Sequence, residues 1–449
     1  MEEFCVDDKE IKKEEKDSKK NMQLAVLLIA VFVIAIIGTH FLNSNKTLEE
    51  AGFPYSSPTQ ADENTAGSET PDTEISENNN MGDMFALAKG YDEFYDYLES
   101  ENKENKENKK NKENKQDTEG KQDREKTSKA ALQAPKILGK YSYKAESGWI
   151  TITDNTKGVE KEEKFVPDFE SPADIIKEMY LADNRMLLIS SHIASVSEGR
   201  EETICYSYDI TNPLEPQLIG QMKQDGAYSS SQKTGELLYL FTRQEISKPE
   251  LSKQEAILVE VLKEWIPKVN DIPLASDSIY LKKNSNEGCL ISSFNINDPE
   301  TTIDSKYFMM GTCKEYVSED CAYFYQSNWV SDRNITSIAS LSFSEGKLLP
   351  EGATMINGSI EASSSIRQEK GYLYILATDK SSSNRINSFY VFDKKLKGIG
   401  AINDIAKGEE ISIAEFAESY VYFKINNKPD ALLKADISDP SKPELVTED

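Results

Sequence analysis

The sequence predicts an all-β fold, a β-propeller of about six four-stranded blades, with five to seven as the range. Three observations carry that expectation. A phrase recurs along the chain, as YDITNPLEPQLIG from Tyr208, FNINDPETT from Phe294 and ADISDPSKPEL from Ala435. Aromatic-rich alternating segments recur in step with it: LLYLFT from Leu237, AYFYQS from Ala322, YLYILAT from Tyr372 and YVYFKI from Tyr420, with an apolar counterpart MLLIS from Met186. These segments start roughly 50 residues apart, except where one insertion stretches the interval, and repeats of about 40–50 residues with four strands are propeller blades.

The chain before the repeats divides into three parts. Residues 1–21 read as a cytoplasmic tail and residues 22–42 as a transmembrane helix, because LAVLLIAVFVIAIIG from Leu24 carries no charge and, extended to Leu42, reaches the roughly 17–25 residues that span a bilayer core. Lys9, Lys12, Lys13, Lys16, Lys19 and Lys20 crowd its N-terminal flank, whereas only Lys46 stands close behind it. That asymmetry keeps the N-terminus in the cytoplasm and the rest outside. No small-x-small cleavage site follows in GTHFLNSNK, so the segment reads as an uncleaved single-pass anchor. Residues 43–136 read as a disordered, charged stalk: residues 54–80 are Ser, Thr, Glu, Asn and Pro with too little apolar surface to offset backbone ordering. MFALAKGYDEFYDYLES, residues 84–100, interrupts the stalk as a short helix, and the ENKENKENKKNKENK tandem from Glu101 follows as a solvated spacer.

Residues 137–449 form the propeller. Its last unit parses into four strands, EEISIAEFA from Glu409, SYVYFKI from Ser419, ALLKADIS from Ala431 and PELV from Pro443, separated by Asn, Asp, Ser and Pro turns. The unit before it reads GSIEASSSI from Gly358, YLYILAT, NSFYVFDKK and LKGIGAI. Earlier units begin near Glu178, Asp225 and Thr312. In the repeated phrase the Asp caps the turn that leaves the third strand and Pro presets that turn. Glu178, Tyr228, Glu315, Ile360 and Ile413 are expected on the strands nearest the axis, with Tyr239, Tyr374 and Tyr422 at equivalent places in the second strands. The first unit lacks an obvious innermost strand, so that either residues 135–138 supply it or the ring stays open. An insertion near residues 243–276 reads as a rim helix, with a Ser252/Glu255 capping box and Ile257, Leu258, Val261, Leu262 and Trp265 on one face.

These residues also carry a family resemblance. FESPADIIKEMYLADNRMLLIS from Phe169, CYSYDITNPLEPQLIGQMKQDGAYSSSQKTGELLYLFT from Cys205, IPKVNDIPLASDSIYL from Ile266, GSIEASSSI, FYVFDKKLKGIGAINDIAKGEEI from Phe389 and ADISDPSKPEL resemble a bacterial and archaeal family of secreted or membrane-anchored proteins. Its members carry a C-terminal β-propeller distantly related to WD-type repeats. The resemblance implies a fold and an extracytoplasmic address, and no agreed activity. Relatives often place a basic residue where this chain has Glu415, and they continue past the last repeated phrase.

Chemistry is sparse. The net charge of −26 and isoelectric point near 4.7 exclude nucleic acid as a partner. His40 and His192 are the only histidines, His40 stands at the membrane boundary, and His192 reads as an exposed residue at a strand end. No phosphate loop, nucleophile elbow or metal-ligand spacing is present, so no cofactor and no metal are expected. Cys313 and Cys321 flank a predicted turn and form a candidate disulfide, while Cys205 and Cys289 read as buried apolar residues. Two functions are compatible with this pattern. One is a membrane-anchored module that binds a protein, peptide or cell-envelope glycan through its channel mouth or rim. The other is a hydrolase using channel carboxylates, for which Glu178, Glu315, Glu361 and Glu415 are the candidates.

Overall fold

The computed structural model describes residues 84–109 and 134–446, apart from loop residues 147, 157–160, 196–199, 284, 286, 331–332 and 382–384. The anchor at 22–42 and the stalk other than 84–109 and 134–136 lie outside the described residues. Among the described residues no helix is long and apolar enough to cross a membrane.

Residues 136–445 fold into six antiparallel sheets in chain order, four of four strands and two extended to six. Sheet 1 is built from Lys136–Leu138, Tyr141–Ala145, Ile150–Asp154 and Lys161–Phe165, so Lys136–Leu138 supplies the first strand that the sequence left open. The other sheets begin with Ile175–Ala182, Ala227–Thr234, Lys314–Val317, Ile366–Glu369 and Ile411–Ala417, and in each the next three main strands follow as antiparallel neighbours, with the insertion intervening between the second and third strands of sheet 3.

Alternation along the strands decides how the sheets pack. Side chains of period two present one apolar set to the preceding sheet and another to the following one, so a strand buried on both faces carries few polar residues. The third residue of each second strand shows the repeat. Tyr143, Leu187, Tyr239, Tyr323 and Tyr374 occupy that place in sheets 1 to 5, and each is buried in the cluster shared with the following sheet. Five apolar clusters thus join the six sheets in sequence. Tyr422 holds the same place in sheet 6 but is only half-buried, with Lys434 Nζ 6.0 Å from its ring centroid. The opposite outermost face, on sheet 1, lines a polar cavity of 510 Å³ with Ser142, Lys144, Thr151, Thr153, Glu162 and Lys164.

The segment upstream of the propeller is docked on sheet 3. Ala86–Leu87 is a strand, pairing with Ile279–Leu281, which in turn lies parallel to Asp298–Met309. Helix α1 follows over Tyr91–Lys109, later than the expected 84–100, because the MFALA run is used for pairing and Lys89 N–H caps back to Glu93 at 2.7 Å. Phe94 of α1 stacks on Trp265 at 5.5 Å, and the hydroxyls of Tyr91 and Tyr95 donate to the carbonyls of Leu274 and Leu251 at 2.7 Å each. The insertion holds two short helices, α2 (Lys253–Ala256) and α3 (Val259–Trp265), where one was expected. The Ser252/Glu255 capping box is present, yet the chain leaves helical geometry at Leu258, which breaks the expected apolar face. Leu262 and Trp265 face the core, whereas Ile257, Leu258 and Val259 are exposed.

Candidate functional site

A meander of four strands puts its connections at two ends. The turns from first to second and from third to fourth strand share one end, here the turn end; the second-to-third connections and the links between sheets share the other, the loop end. At the turn end the third strands close alike. Asp154, Asp209, Asn295, Asp393 and Asp436 each accept a backbone N–H two residues on, at 2.7 to 2.9 Å. Thr211 and Ser438 hydrogen bonds hold the Asp209 and Asp436 carboxyls below the usual range. The Ile that follows in the repeated phrase is buried, and its N–H donates to the neighbouring turn: Ile210 to Asn184, Ile296 to Glu236 and Ile437 to Ser419. The phrase is therefore a turn lock, an Asx turn plus an apolar plug.

The first strands of sheets 1 to 4 meet through polar side chains. Lys136 Nζ lies 3.0 Å from Glu178 Oε1, and Tyr180 donates to Ser231 of the next sheet at 3.0 Å. Ser229 and Ser230 donate to Glu315 Oε1 at 2.6 and 2.8 Å, while Arg243 donates to Glu315 Oε2 at 2.8 Å. Burial pushes the Tyr180 phenol up to about 12, so it stays a hydrogen-bond donor. Glu178 and Glu315 do stand on first strands, as expected, but each carboxylate is committed to a cation and to neighbouring donors. Their evident work is to tie adjacent sheets together.

The remaining candidates fall elsewhere. Glu361 and Ile360 are not on a first strand: Ser359 makes an isolated bridge to Thr378, and the paired strand resumes only at Ile366–Glu369. Glu361 Oε2 lies 2.7 Å from Lys380 Nζ. Glu415 is on the first strand of sheet 6, exposed and opposite Tyr422. Neither Cys313 nor Cys321 forms a disulfide. Register explains why: Lys314 pairs with Tyr325 and Val317 with Ala322, so the two cysteines sit at opposite ends of the strand pair and pack into different clusters. Arg243 approaches Cys313 Sγ at 3.3 Å. Cys205 and Cys289 are fully buried.

His192 departs from its reading as an exposed residue. It lies within Arg185–Ser195, its side chain 9% exposed, with Nδ1 2.7 Å from Asp174 Oδ1 and Nε2 3.8 Å from Glu202 Oε2. Nδ1 faces the Asp174 carboxylate, whereas Nε2 stands beyond hydrogen-bond distance of Glu202. A hairpin about the Asp183–Asn184 turn with one bulge brings Asp174 opposite His192, a pairing that sequence spacing does not announce. Among the described residues no three His, Cys, Asp or Glu side chains are placed to hold a metal ion.

The loop end carries exposed apolar side chains. Ile193 is 56% exposed, Val259 79%, Trp329 62% and Val330 54%. Trp329 and Val330 belong to a hairpin of Cys321–Val330 with Arg333–Ser344 that outruns its sheet, since the first strand stops at Lys314, opposite Tyr325. Lys282, from the strap that carries Ile279–Leu281, reaches this hairpin and donates to Gln326 Oε1 at 3.2 Å. Burial draws the Lys282 ammonium below its ordinary value. In sequence Val259 fell in the expected rim helix and Gln326 in an aromatic-rich strand segment, and no motif marked Trp329, Val330 or Lys282.

Comparison with known proteins agrees with this geometry. No curated protein matches the chain. Among solved structures, an acylaminoacyl peptidase of Pyrococcus horikoshii aligns at 10% identity and a TM-score of 0.32, covering 73% of this chain and 47% of that one. A second, from a structural and mechanistic study of two prolyl endopeptidases, aligns at 10% identity and a TM-score of 0.27, covering 72% and 51%. The chain thus spans about half the length of each. A family model described as "Beta propeller domain" matches residues 136–448. With the repeated four-stranded sheets over the same residues, the chain belongs to the β-propeller domain family.

Proposed function

We propose that this protein is a six-bladed, membrane-anchored extracytoplasmic binding module that engages a protein, peptide or cell-envelope glycan at its loop end. The observation that carries the reading is the contrast between a turn end closed by one repeated lock and a loop end that exposes Ile193, Val259, Trp329 and Val330. Exposed aromatic and aliphatic residues presented at one end of a rigid sheet scaffold favour partner contact. The uncharged run from Leu24 and its one-sided lysines support the anchor and its orientation. The hydrolase reading loses ground because three of its four candidate carboxylates, Glu178, Glu315 and Glu361, are ion-paired with Lys136, Arg243 and Lys380.

Photocrosslinking in intact cells tests the binding reading. A photoreactive amino acid at position 329 is expected to capture a partner, while the same group at position 297, on the turn end, is expected to capture none. Equal capture at both positions, or capture only at 297, overturns it. Protease added to intact cells is expected to digest the propeller and spare the tail before Leu24; a released form beginning near Asn43 overturns the anchor.

A further inference from the structure

We propose that the open edge of the Cys321–Val330 strand, from Gln326 to Val330, accepts an extended peptide as an added strand, with the peptide's free C-terminal carboxylate held at Lys282 and Lys314. The inference rests on the reading of the loop end as the binding end and names its ligand.

The edge comes first. Residues 321–330 pair along their whole length with residues 333–342 on one side, but on the other side pairing ends at Tyr325 with Lys314. Alternate main-chain N–H and C=O groups of an antiparallel strand point away from each partner, so the 326–330 stretch presents a row of them with, among the described residues, no strand paired against it. Such a row recognises an extended backbone irrespective of side chains, and neighbouring side chains supply preference. Trp329 lies on the sheet face of Tyr323 and Tyr325, toward sheet 5; Val330 lies on the face of Phe324, toward sheet 3. Successive side chains of an added strand would meet these two alternately.

The charge comes second. In a chain of net charge −26, two cations, Lys282 and Lys314, stand at this edge. Lys282 is half-buried, and its ammonium donates to the neutral Gln326 amide; among the described residues no carboxylate lies within ion-pair distance of it. A partly desolvated ammonium facing an amide is an unfavourable arrangement that an arriving carboxylate would relieve. Lys314 is exposed at the point where the first strand stops. An antiparallel addition continues the line of Lys314–Val317 upstream and runs toward it, which brings the C-terminal end of the peptide to Lys314 and Lys282. The nearby Glu315 is already taken by Arg243, Ser229 and Ser230, and so does not oppose that charge directly.

The test uses the full-length chain in detergent and a library of random octapeptides displayed with free carboxyl ends. Enrichment of peptides with aliphatic or aromatic residues at alternating positions is expected, with fluorescence anisotropy then showing at least tenfold weaker binding of the amidated twin. Trp329→Ala and Lys282→Gln should each weaken binding of the free acid at least tenfold without shifting the thermal midpoint; a proline at alternate peptide positions should abolish it. Equal binding of acid and amide, indifference to both substitutions, or no enrichment overturns the proposal. Crosslinking at position 329 combined with acid–amide equivalence would leave the loop-end reading standing and sink strand addition alone.

Discussion

The two ends of the sheets obey different rules. At the turn end, five third strands finish with the same side-chain-to-backbone bond, and the phrase containing Ile210, Ile296 and Ile437 uses one buried plug and one N–H bond per copy. At the loop end the links between sheets share one bond, the N–H of Gly226, Gly311, Gly358 and Gly408 donating to a carbonyl at or beside the start of the third strand, but the additions there differ: an imidazole beside two carboxylates in sheet 2, an insertion with a docked strap on sheet 3, an overlong hairpin in sheet 4. Repetition marks what every blade needs in order to close, and singularity marks what one blade was given in addition. The proposed binding role is assigned to those additions, even though the repeated turn lock is what sequence makes conspicuous.

The sharpest way to break that contrast is the buried Arg243–Glu315 ion pair at the loop end. Arg243 and Glu315 have side chains 8% and 6% exposed, so Arg243→Met strands a buried carboxylate and is expected to cost about 3–5 kcal/mol in urea denaturation. Adding Glu315→Gln should recover a substantial part of it. If Arg243→Met is nearly neutral, the polar belt between sheets 3 and 4 is not structural, and its carboxylate returns as a functional candidate.

At the turn end, Ile296→Ala removes a plug 3% exposed and is expected to cost about 2–4 kcal/mol. Ile210→Ala should behave alike, since the two occupy the same place in the repeat. A large disparity between them would break the equivalence on which the turn end is defined. A smaller loss is expected from Asp209→Ala, and its pH dependence fixes the mechanism. Hydrogen bonds from Thr211 lower the folded Asp209 carboxyl, so its contribution is present above the unfolded carboxylate value and fades as pH falls through the folded one. The gap in midpoint between wild type and Asp209→Ala should thus be widest near neutrality and narrow below about pH 4. A gap that widens on acidification contradicts the Asx lock.

The same contrast explains what could be read from sequence. The Asp of the repeated phrase and the tyrosines at 239, 374 and 422 were legible because local rules, period two and turn chemistry, fix them in each copy. The strap was not: Ala86–Leu87 looks helical beside α1 and becomes a strand only because Ile279–Leu281, far along the chain, offers an edge. The cysteines misled for a related reason. A short spacing across a turn suggests proximity, whereas register sends Cys313 and Cys321 to opposite ends of the pair. Nor did any spacing join Asp174 to His192 or Lys282 to Gln326, since both contacts depend on a register or insertion path set by tertiary packing.

Trp329 is where the smallest effect on stability should accompany the loss of binding. Its side chain is 62% exposed at the end of a hairpin that has already left the sheet core, so Trp329→Ala removes little buried area and should shift stability by no more than about 0.5 kcal/mol. An exposed tryptophan that contributes little to folding but is held on a paired strand is a preorganised contact, since the register opposite Asn334 limits the backbone freedom lost on binding. If Trp329→Ala instead unfolds the domain, the hairpin belongs to the scaffold. The difference between the ends would then be one of shape alone, and the partner would have to be sought on the exposed insertion around Leu258 and Val259.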